Sequence, residues 1–150
     1  MIRNAIWSPL LILLTFLNYS LMKAQDLTDY QWENRILLLF DNSLETNALQ
    51  SQLAKLTAHE EALIDRDLIV FLVAENRVYT SDKKPFEMDA KRLRERLNIA
   101  AAFKGTVLVG KDGGVKLKEK FQVAPETVFS LIDSMPMRRA EVRNRKKIKP

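Results

Sequence analysis

Cysteine is absent from this sequence of 150 residues. Thiol–disulfide exchange, thiolate peroxidase chemistry and thiolate metal binding all require a cysteine sulfur, so we expect no thiol-dependent oxidoreductase or peroxidase activity. The absence also excludes disulfides and a cysteine-linked lipid. A chain of this length can build a hydrophobic core that is large enough to fold without disulfides.

Histidine is nearly absent, and no complete nucleotide-binding motif occurs. The one histidine, His59, has no nucleophile, orienting acid or metal ligand at an informative spacing, so we interpret it as structural or exposed. Gly105, Gly110 and Lys111 have the spacing of a phosphate-binding loop, but Asp112 stands where that loop needs Ser or Thr. The residues between the glycines also have a strand pattern. No catalytic residue, metal or cofactor is therefore predicted.

The most apolar segment lies near the N-terminus. Arg3 precedes residues 7–17, which are almost wholly apolar, and polar residues follow closely. A run this short with these flanks is typical of a cleaved signal peptide, and an uncleaved N-terminal anchor is the alternative. We predict a signal peptide over residues 1–25, with no transmembrane span after its cleavage. The protein is then exported, to the periplasm or outside the cell.

Positive charge is concentrated in the last residues of the chain. Residues 26–137 carry 15 basic and 18 acidic side chains, a net charge of −3. Residues 138–150 carry 7 basic side chains against Glu141 alone, a net charge of +6. We therefore separate a domain, residues 26–137, from a basic C-terminal tail, residues 138–150.

The basic residues of this tail are candidate contacts for a polyanion of the cell envelope. They are Arg138, Arg139, Arg143, Arg145, Lys146, Lys147 and Lys149. A solvated tail without function is the alternative. No aromatic residue stands between the charges to stack on bases, so sequence-specific binding of nucleic acid is not expected.

Apolar patterns and turn residues predict alternating strands and helices. The predicted strands are residues 36–40, 67–74, 105–110 and 115–118, and a hairpin turn at Asp112-Gly113-Gly114 joins the last two. The predicted helices are residues 44–65, capped by Asn42-Ser43, then 89–97 and 125–134, with a loop at residues 75–85. In the second helix, Arg92, Arg94 and Arg96 are expected to form a solvated face.

The order strand, helix, strand, helix, hairpin, helix is that of a thioredoxin-like domain. Two parallel strands come first and an antiparallel pair follows. We predict an α/β protein with three α/β/α layers and a four-stranded mixed sheet of strand order 2-1-3-4.

Three segments of the chain resemble a family of domains of unknown function. Tyr30-Gln31-Trp32-Glu33-Asn34-Arg35 leads into the first strand, Gly110-Lys111-Asp112-Gly113-Gly114-Val115-Lys116 forms the hairpin, and Ile132-Asp133-Ser134-Met135-Pro136-Met137-Arg138 ends the domain. Members are thioredoxin- and peroxiredoxin-like domains of exported bacterial proteins and of some vertebrate extracellular-matrix proteins. The resemblance covers roughly residues 26–143. It implies the fold and an extracytoplasmic location, but no established activity.

Redox-active relatives of this fold place a cysteine after the first strand and a proline just before the third. This chain has Asp41, Asn42 and Ser43 at the first place, and Phe103 and Lys104 at the second. Both departures argue against thiol chemistry, and we interpret Ser43 as a helix cap and not as a nucleophile. If the cleft after the first strand has a function, these five residues line it.

We therefore predict a redox-inactive module for binding or scaffolding. Its partner is a protein or an envelope polyanion. The alternative is an enzyme of another class that uses the cleft after the first strand without a thiol.

Overall fold

A six-stranded mixed sheet forms the centre of the structure, a computed structural model that describes residues 25–148. The strands are β1 (Arg35–Phe40), β2 (Leu68–Ala74), β3 (Arg77–Thr80), β4 (Pro85–Phe86), β5 (Gly105–Val109) and β6 (Val115–Glu119). Their order across the sheet is β4-β3-β2-β1-β5-β6. β1 is parallel to β2, and every other neighbouring pair is antiparallel.

The four predicted strands have the predicted order, but the predicted number of strands is wrong. The predicted loop at residues 75–85 contains β3 and the start of β4, which extend the sheet beyond β2. A two-residue turn, Glu75-Asn76, joins β2 to β3, and both residues have positive φ (50° and 60°). Turns of this kind favour glycine, so a Glu-Asn pair gave no hairpin signal.

Five α-helices and one 3-10 helix accompany the sheet in the described part of the chain. They are the 3-10 helix Leu27–Tyr30 and helices α1 (Asn47–Thr57), α2 (Glu60–Asp65), α3 (Ala90–Arg96), α4 (Pro125–Ser134) and α5 (Pro136–Ile148). The sequence analysis predicts no helix after residue 134, so α5 is an addition. It includes most of the residues that we assigned to a basic tail.

The single helix predicted over residues 44–65 is wrong in two respects. It is divided into α1 and α2 at His59, whose backbone (φ −116°, ψ 41°) is not helical. It also begins later than predicted, because Thr46 is the cap and its side-chain oxygen accepts a hydrogen bond from the Leu49 N–H at 3.3 Å. Ser43 does not cap the helix; its hydroxyl accepts a hydrogen bond from the Glu45 N–H at 3.2 Å.

Helices cover both faces of the sheet, which explains why β1 is apolar at every position except its first residue. Leu37 and Leu39 of β1 pack in one core with α1, α2 and α4. Leu38 and Phe40 pack in a second core with α3 and the 3-10 helix. Successive side chains of a strand point to opposite faces, so both sets are buried. The three-layer arrangement places the ends of β1 at the two ends of the domain.

Within residues 25–148, no helix is both long enough and apolar enough to cross a membrane. The predicted signal peptide lies outside the described residues except for Gln25.

Candidate functional site

The first predicted site residue, Asp41, follows directly after β1. Its side chain is only 3% exposed. One carboxylate oxygen accepts a hydrogen bond from the Asn42 N–H at 2.7 Å, and the other accepts one from the Thr46 hydroxyl at 2.5 Å. Because Thr46 is the cap of α1, Asp41 joins the end of the central strand to the start of the helix.

Lys104 and Phe103 reach the same place from β5. Since β5 runs antiparallel to β1, the residues before β5 lie beside the end of β1. The Lys104 ammonium is 3.5 Å from a carboxylate oxygen of Asp41 and remains half-exposed. The Phe103 ring packs edge-on against Phe40 with 6.0 Å between ring centres.

The structure thus brings Asp41, Phe103 and Lys104 together, as the predicted topology requires. Asn42 contributes its backbone N–H, and Ser43 forms a local turn. The one histidine contacts α4 instead: the His59 ring lies 5.9 Å from the Phe129 ring and 4.0 Å from a Glu126 oxygen. Asp41 therefore contacts the turn before α1 and Lys104, whereas His59 contacts α4 and lies outside this group of residues.

Two further cations surround this end of β1, and the sequence analysis missed both. The Arg94 guanidinium lies over the Phe40 ring at 4.6 Å, and the Lys118 ammonium lies 5.2 Å from the Phe103 ring centre. Arg94 is only partly exposed, so the expected solvated face of arginines is wrong for this residue. Cations over aromatic faces are stabilised by the ring quadrupole.

The predicted polyanion contacts are divided between two faces of α5. The Arg138 side chain is 4% exposed and pairs with Asp65 and with Asp133, while Arg145 pairs with Asp65 at 2.7 Å. These two guanidinium groups are occupied by carboxylates of the domain, and the pairing attaches α5 to the ends of α2 and α4.

The other basic residues of α5 face a common space. A groove of about 700 Å³ runs beside the helix and includes Asp133 and Val142. The paired Arg138 lies at its edge, and the four other basic residues that line it are Arg139, Arg143, Lys146 and Lys147. Lys149, the last predicted contact, lies outside the described residues.

A second ionic cluster holds α5 at the start of β1. Arg35, whose side chain is 1% exposed, donates hydrogen bonds to Glu141 at 3.1 Å and to the Arg66 carbonyl at 2.8 Å. The Lys111 ammonium lies 2.9 Å from Glu141 and 2.8 Å from Asp67. Burial raises the pKa of Glu141, but the hydrogen bonds from Arg35 and Lys111 outweigh it and hold this pKa below its usual value.

Within the described residues, no group of three or more acidic or histidine side chains is placed to bind a metal ion.

Sequence comparison assigns the chain to a family. Residues 26–141 match the family described as Domain of unknown function (DUF4174). The chain belongs to this family. No curated protein shows significant sequence similarity to this DUF4174 chain.

Solved structures with a similar backbone are peroxiredoxins. The reduced 2-Cys peroxiredoxin of Plasmodium vivax has a TM-score of 0.55 and 15% identity, over 77% of this chain and 83% of its own. Thioredoxin peroxidase I of Plasmodium yoelii has a TM-score of 0.51 and 15% identity, over 83% of this chain and 81% of its own. These similarities confirm the predicted thioredoxin-like α/β fold.

The three segments that resemble the DUF4174 family meet at the Arg35 end of the sheet. The Trp32 N–H donates to the Lys111 carbonyl at 2.7 Å, and the Gln31 side chain donates to the Asp112 carbonyl at 2.9 Å. Residues 135–137 of the third segment line one pocket together with Arg35 and Lys111. These segments thus build the end of the domain that lies opposite Asp41.

Proposed function

We propose that this DUF4174 protein is an exported binding module that performs no thiol redox reaction and attaches to an anionic polymer through α5. The arrangement of α5 carries the proposal. Arg138 and Arg145 are paired with carboxylates of the domain, while Arg139, Arg143, Lys146 and Lys147 line one groove. A fixed row of cations attracts a polyanion over a long range and binds it without sequence preference.

The contacts of Asp41, at the end of β1, support the absence of thiol chemistry. The two similar solved structures are named as a 2-Cys peroxiredoxin and a thioredoxin peroxidase. Redox-active relatives of the fold are expected to have a cysteine after the first strand. Asp41 occupies that place here, and its carboxylate is hydrogen-bonded to the start of α1 and paired with Lys104. These contacts support a structural role for Asp41 and argue against a nucleophile at this end of β1.

The polyanion test compares two variants that each lose four positive charges. In the first, Arg139, Arg143, Lys146 and Lys147 are replaced by glutamine. The control replaces exposed cations elsewhere on the domain, at Arg77, Lys84, Arg92 and Lys120. Binding to long-chain polyphosphate and to lipopolysaccharide is measured over a salt series.

We expect the α5 variant to lose about tenfold or more in affinity at low salt, with a flatter salt dependence, because it releases fewer counterions. The control should keep most of its affinity. Equal losses in both variants would show that binding follows net charge and not the groove, and would refute the proposal. Retention of a protein partner by both variants at high salt would also refute it, since the ligand would then bind another surface.

Export is tested separately. The sequence of residues 1–25 supports it, and we expect the protein recovered from a bacterial periplasm to begin near residue 26. A chain that stays in the cytoplasm with Met1 intact would contradict export without affecting the polyanion test.

A further inference from the structure

A pocket of about 520 Å³ lies between α3 and β6, beside the end of β1. Apart from a short apolar wall, its lining residues are polar or charged: Asn76, Lys91, Arg94, Glu95, Asn98 and Lys118. Three cations and one carboxylate leave this pocket with an excess of two positive charges. Its volume lies within the range of sites for small molecules.

Arg94 is the residue that distinguishes this pocket from an ordinary basic surface. Its neighbours on α3 are paired: Arg92 with Asp89 at 3.7 Å, and Arg96 with Asp26 at 3.2 Å. In the part of the chain that the structure describes, Arg94 has no carboxylate partner. It donates to the Ala100 carbonyl at 3.0 Å and lies on the Phe40 ring.

Partial burial disfavours the charge of Arg94, and no carboxylate among the described residues offsets this effect. Burial lowers the pKa of this guanidinium, in contrast to Arg138, whose pKa is raised because its two carboxylate partners outweigh burial. A guanidinium remains protonated in any case, so the cost of desolvation is borne by the folded protein. A bound anion would offset part of that cost.

Lys118 adds a second cation without a carboxylate partner among the described residues. Its ammonium lies 3.4 Å from the Asn98 carbonyl oxygen and over the Phe103 ring. The third cation, Lys91, is 3.9 Å from Glu95, and both of those side chains are exposed. The two unpaired cations, Arg94 and Lys118, therefore account for the excess charge.

We propose that this pocket binds the phosphate group of a small phosphorylated molecule. A guanidinium binds two oxygens of a phosphate at once, and an ammonium neutralises it as a point charge. A doubly charged phosphate matches the excess of two positive charges. The pocket has room for an organic group beyond the phosphate, and it lies beside the carboxyl end of a central strand, where ligands of open α/β sheets bind.

The test uses the purified protein as the producing cell accumulates it, with or without the predicted signal peptide of residues 1–25. Inorganic phosphate, glycerol 3-phosphate and acetate are titrated, with binding measured by calorimetry. We expect both phosphates to bind and acetate to bind at least about tenfold more weakly, since it carries a single charge. Tighter binding of glycerol 3-phosphate would identify a phosphomonoester as the ligand, and equal binding would identify free phosphate.

Two arginines of α3 provide a matched pair of variants. Arg94→Gln should weaken phosphate binding about tenfold or more, whereas Arg92→Gln, with the same change in charge on the same helix, should change it less than about twofold. Lys118→Gln changes an exposed side chain, so it tests the site even if Arg94→Gln impairs folding. We expect it to weaken phosphate binding about fivefold.

Three results would overturn the proposal. The first is an equal loss in Arg92→Gln and Arg94→Gln, and the second is acetate binding as tight as phosphate binding. The third is a loss caused by Arg143→Gln on α5, because the groove beside α5 would then be the phosphate site.

Discussion

The two ends of β1 differ in how their charged groups are used. At the Asp41 end, one carboxylate is hydrogen-bonded to the turn before α1 and paired with the half-exposed Lys104. At the Arg35 end, a buried arginine and a buried lysine share Glu141 of α5. In redox-active relatives of the fold, the reactive cysteine is expected after the first strand, at the place of the Asp41 end. Here the more extensive charge network lies at the other end.

The Arg35 network holds a helix that buries little apolar surface of its own. No apolar side chain of α5 between residues 136 and 147 is fully buried, so this part of the helix lacks the buried hydrophobic face that usually fixes a helix on a domain. Between these two residues, Arg138 is the one buried side chain. Buried ion pairs contribute little net stability but depend strongly on geometry. We infer that charge fixes the position of α5 and leaves its other basic residues facing the groove.

The largest expected effect is that of Arg35→Met. The change leaves Glu141 with one cation fewer and removes the hydrogen bond to the Arg66 carbonyl. Breaking a buried pair from one side costs about 3 kcal/mol of unfolding free energy. The measurement is urea unfolding of both proteins at neutral pH.

A matched control makes this prediction specific to the Arg35 end. Arg77→Met changes the exposed first residue of β3 and should cost less than about 0.5 kcal/mol. The double variant Arg35→Met with Glu141→Leu should recover part of the loss, because it removes the carboxylate that has lost Arg35 as a partner, while Lys111 keeps its pair with Asp67. If Arg35→Met costs no more than Arg77→Met, the network does not hold this end together.

The next effect is a dependence on pH at the Arg35 end. The pKa of Glu141 is lower in the folded protein than in the unfolded chain, where a glutamate has a pKa of about 4.3. Its contribution to stability is therefore complete above that pH and is lost as the pH falls through the folded pKa. Glu141→Gln should cost about 2 kcal/mol at pH 7, and the difference from the wild type should shrink below about pH 4.

Urea unfolding at several pH values between 7 and 3 checks this dependence. Glu126→Gln is the control, since Glu126 is exposed on α4 and its change should have a small effect at every pH. A constant difference between the wild type and Glu141→Gln down to pH 3 would contradict the assigned role of the carboxylate.

Much of the fold could be predicted because its signals are local. The continuous apolar runs of β1, β2 and β5 and the glycines at residues 113 and 114 each indicate one structure. The break at His59 and the Glu75-Asn76 turn could not be predicted. Both depend on backbone conformations that these residue types seldom signal, and packing against the sheet overrides the local pattern.

The candidate site also combines contacts that the sequence predicts with contacts that it does not. The meeting of Asp41 with Lys104 follows from strand order, so the sequence predicted it. The pairing of Arg92 with Asp89 follows helical spacing, since the two are three residues apart, whereas the pairing of Arg96 with Asp26 depends on where a distant residue lies in space. The position of Arg94 on the Phe40 ring also depends on the tertiary fold. The division of the basic residues of α5 between two faces did leave a signal in the sequence. Arg138, Glu141 and Arg145 are spaced three and four residues apart, so they share one helical face. It was missed because no helix was predicted there.

The smallest expected effect is at the Asp41 end. Asn in place of Asp41 has a single acceptor oxygen, so it can keep the hydrogen bond from the Asn42 N–H or the one from the Thr46 hydroxyl but not both. It also loses the ion pair with Lys104. We expect Asp41→Asn to cost about 1 kcal/mol of unfolding free energy, and Lys104→Gln to cost no more.

The sign of the Asp41→Asn effect separates the two readings of this end. A loss of stability fits a carboxylate that serves the fold. A gain would mean that the folded protein keeps a buried charge at the expense of its stability, as proteins do at functional sites. That result would reverse the comparison between the two ends, and the Asp41–Lys104 pair would become the first place to look for a non-thiol reaction.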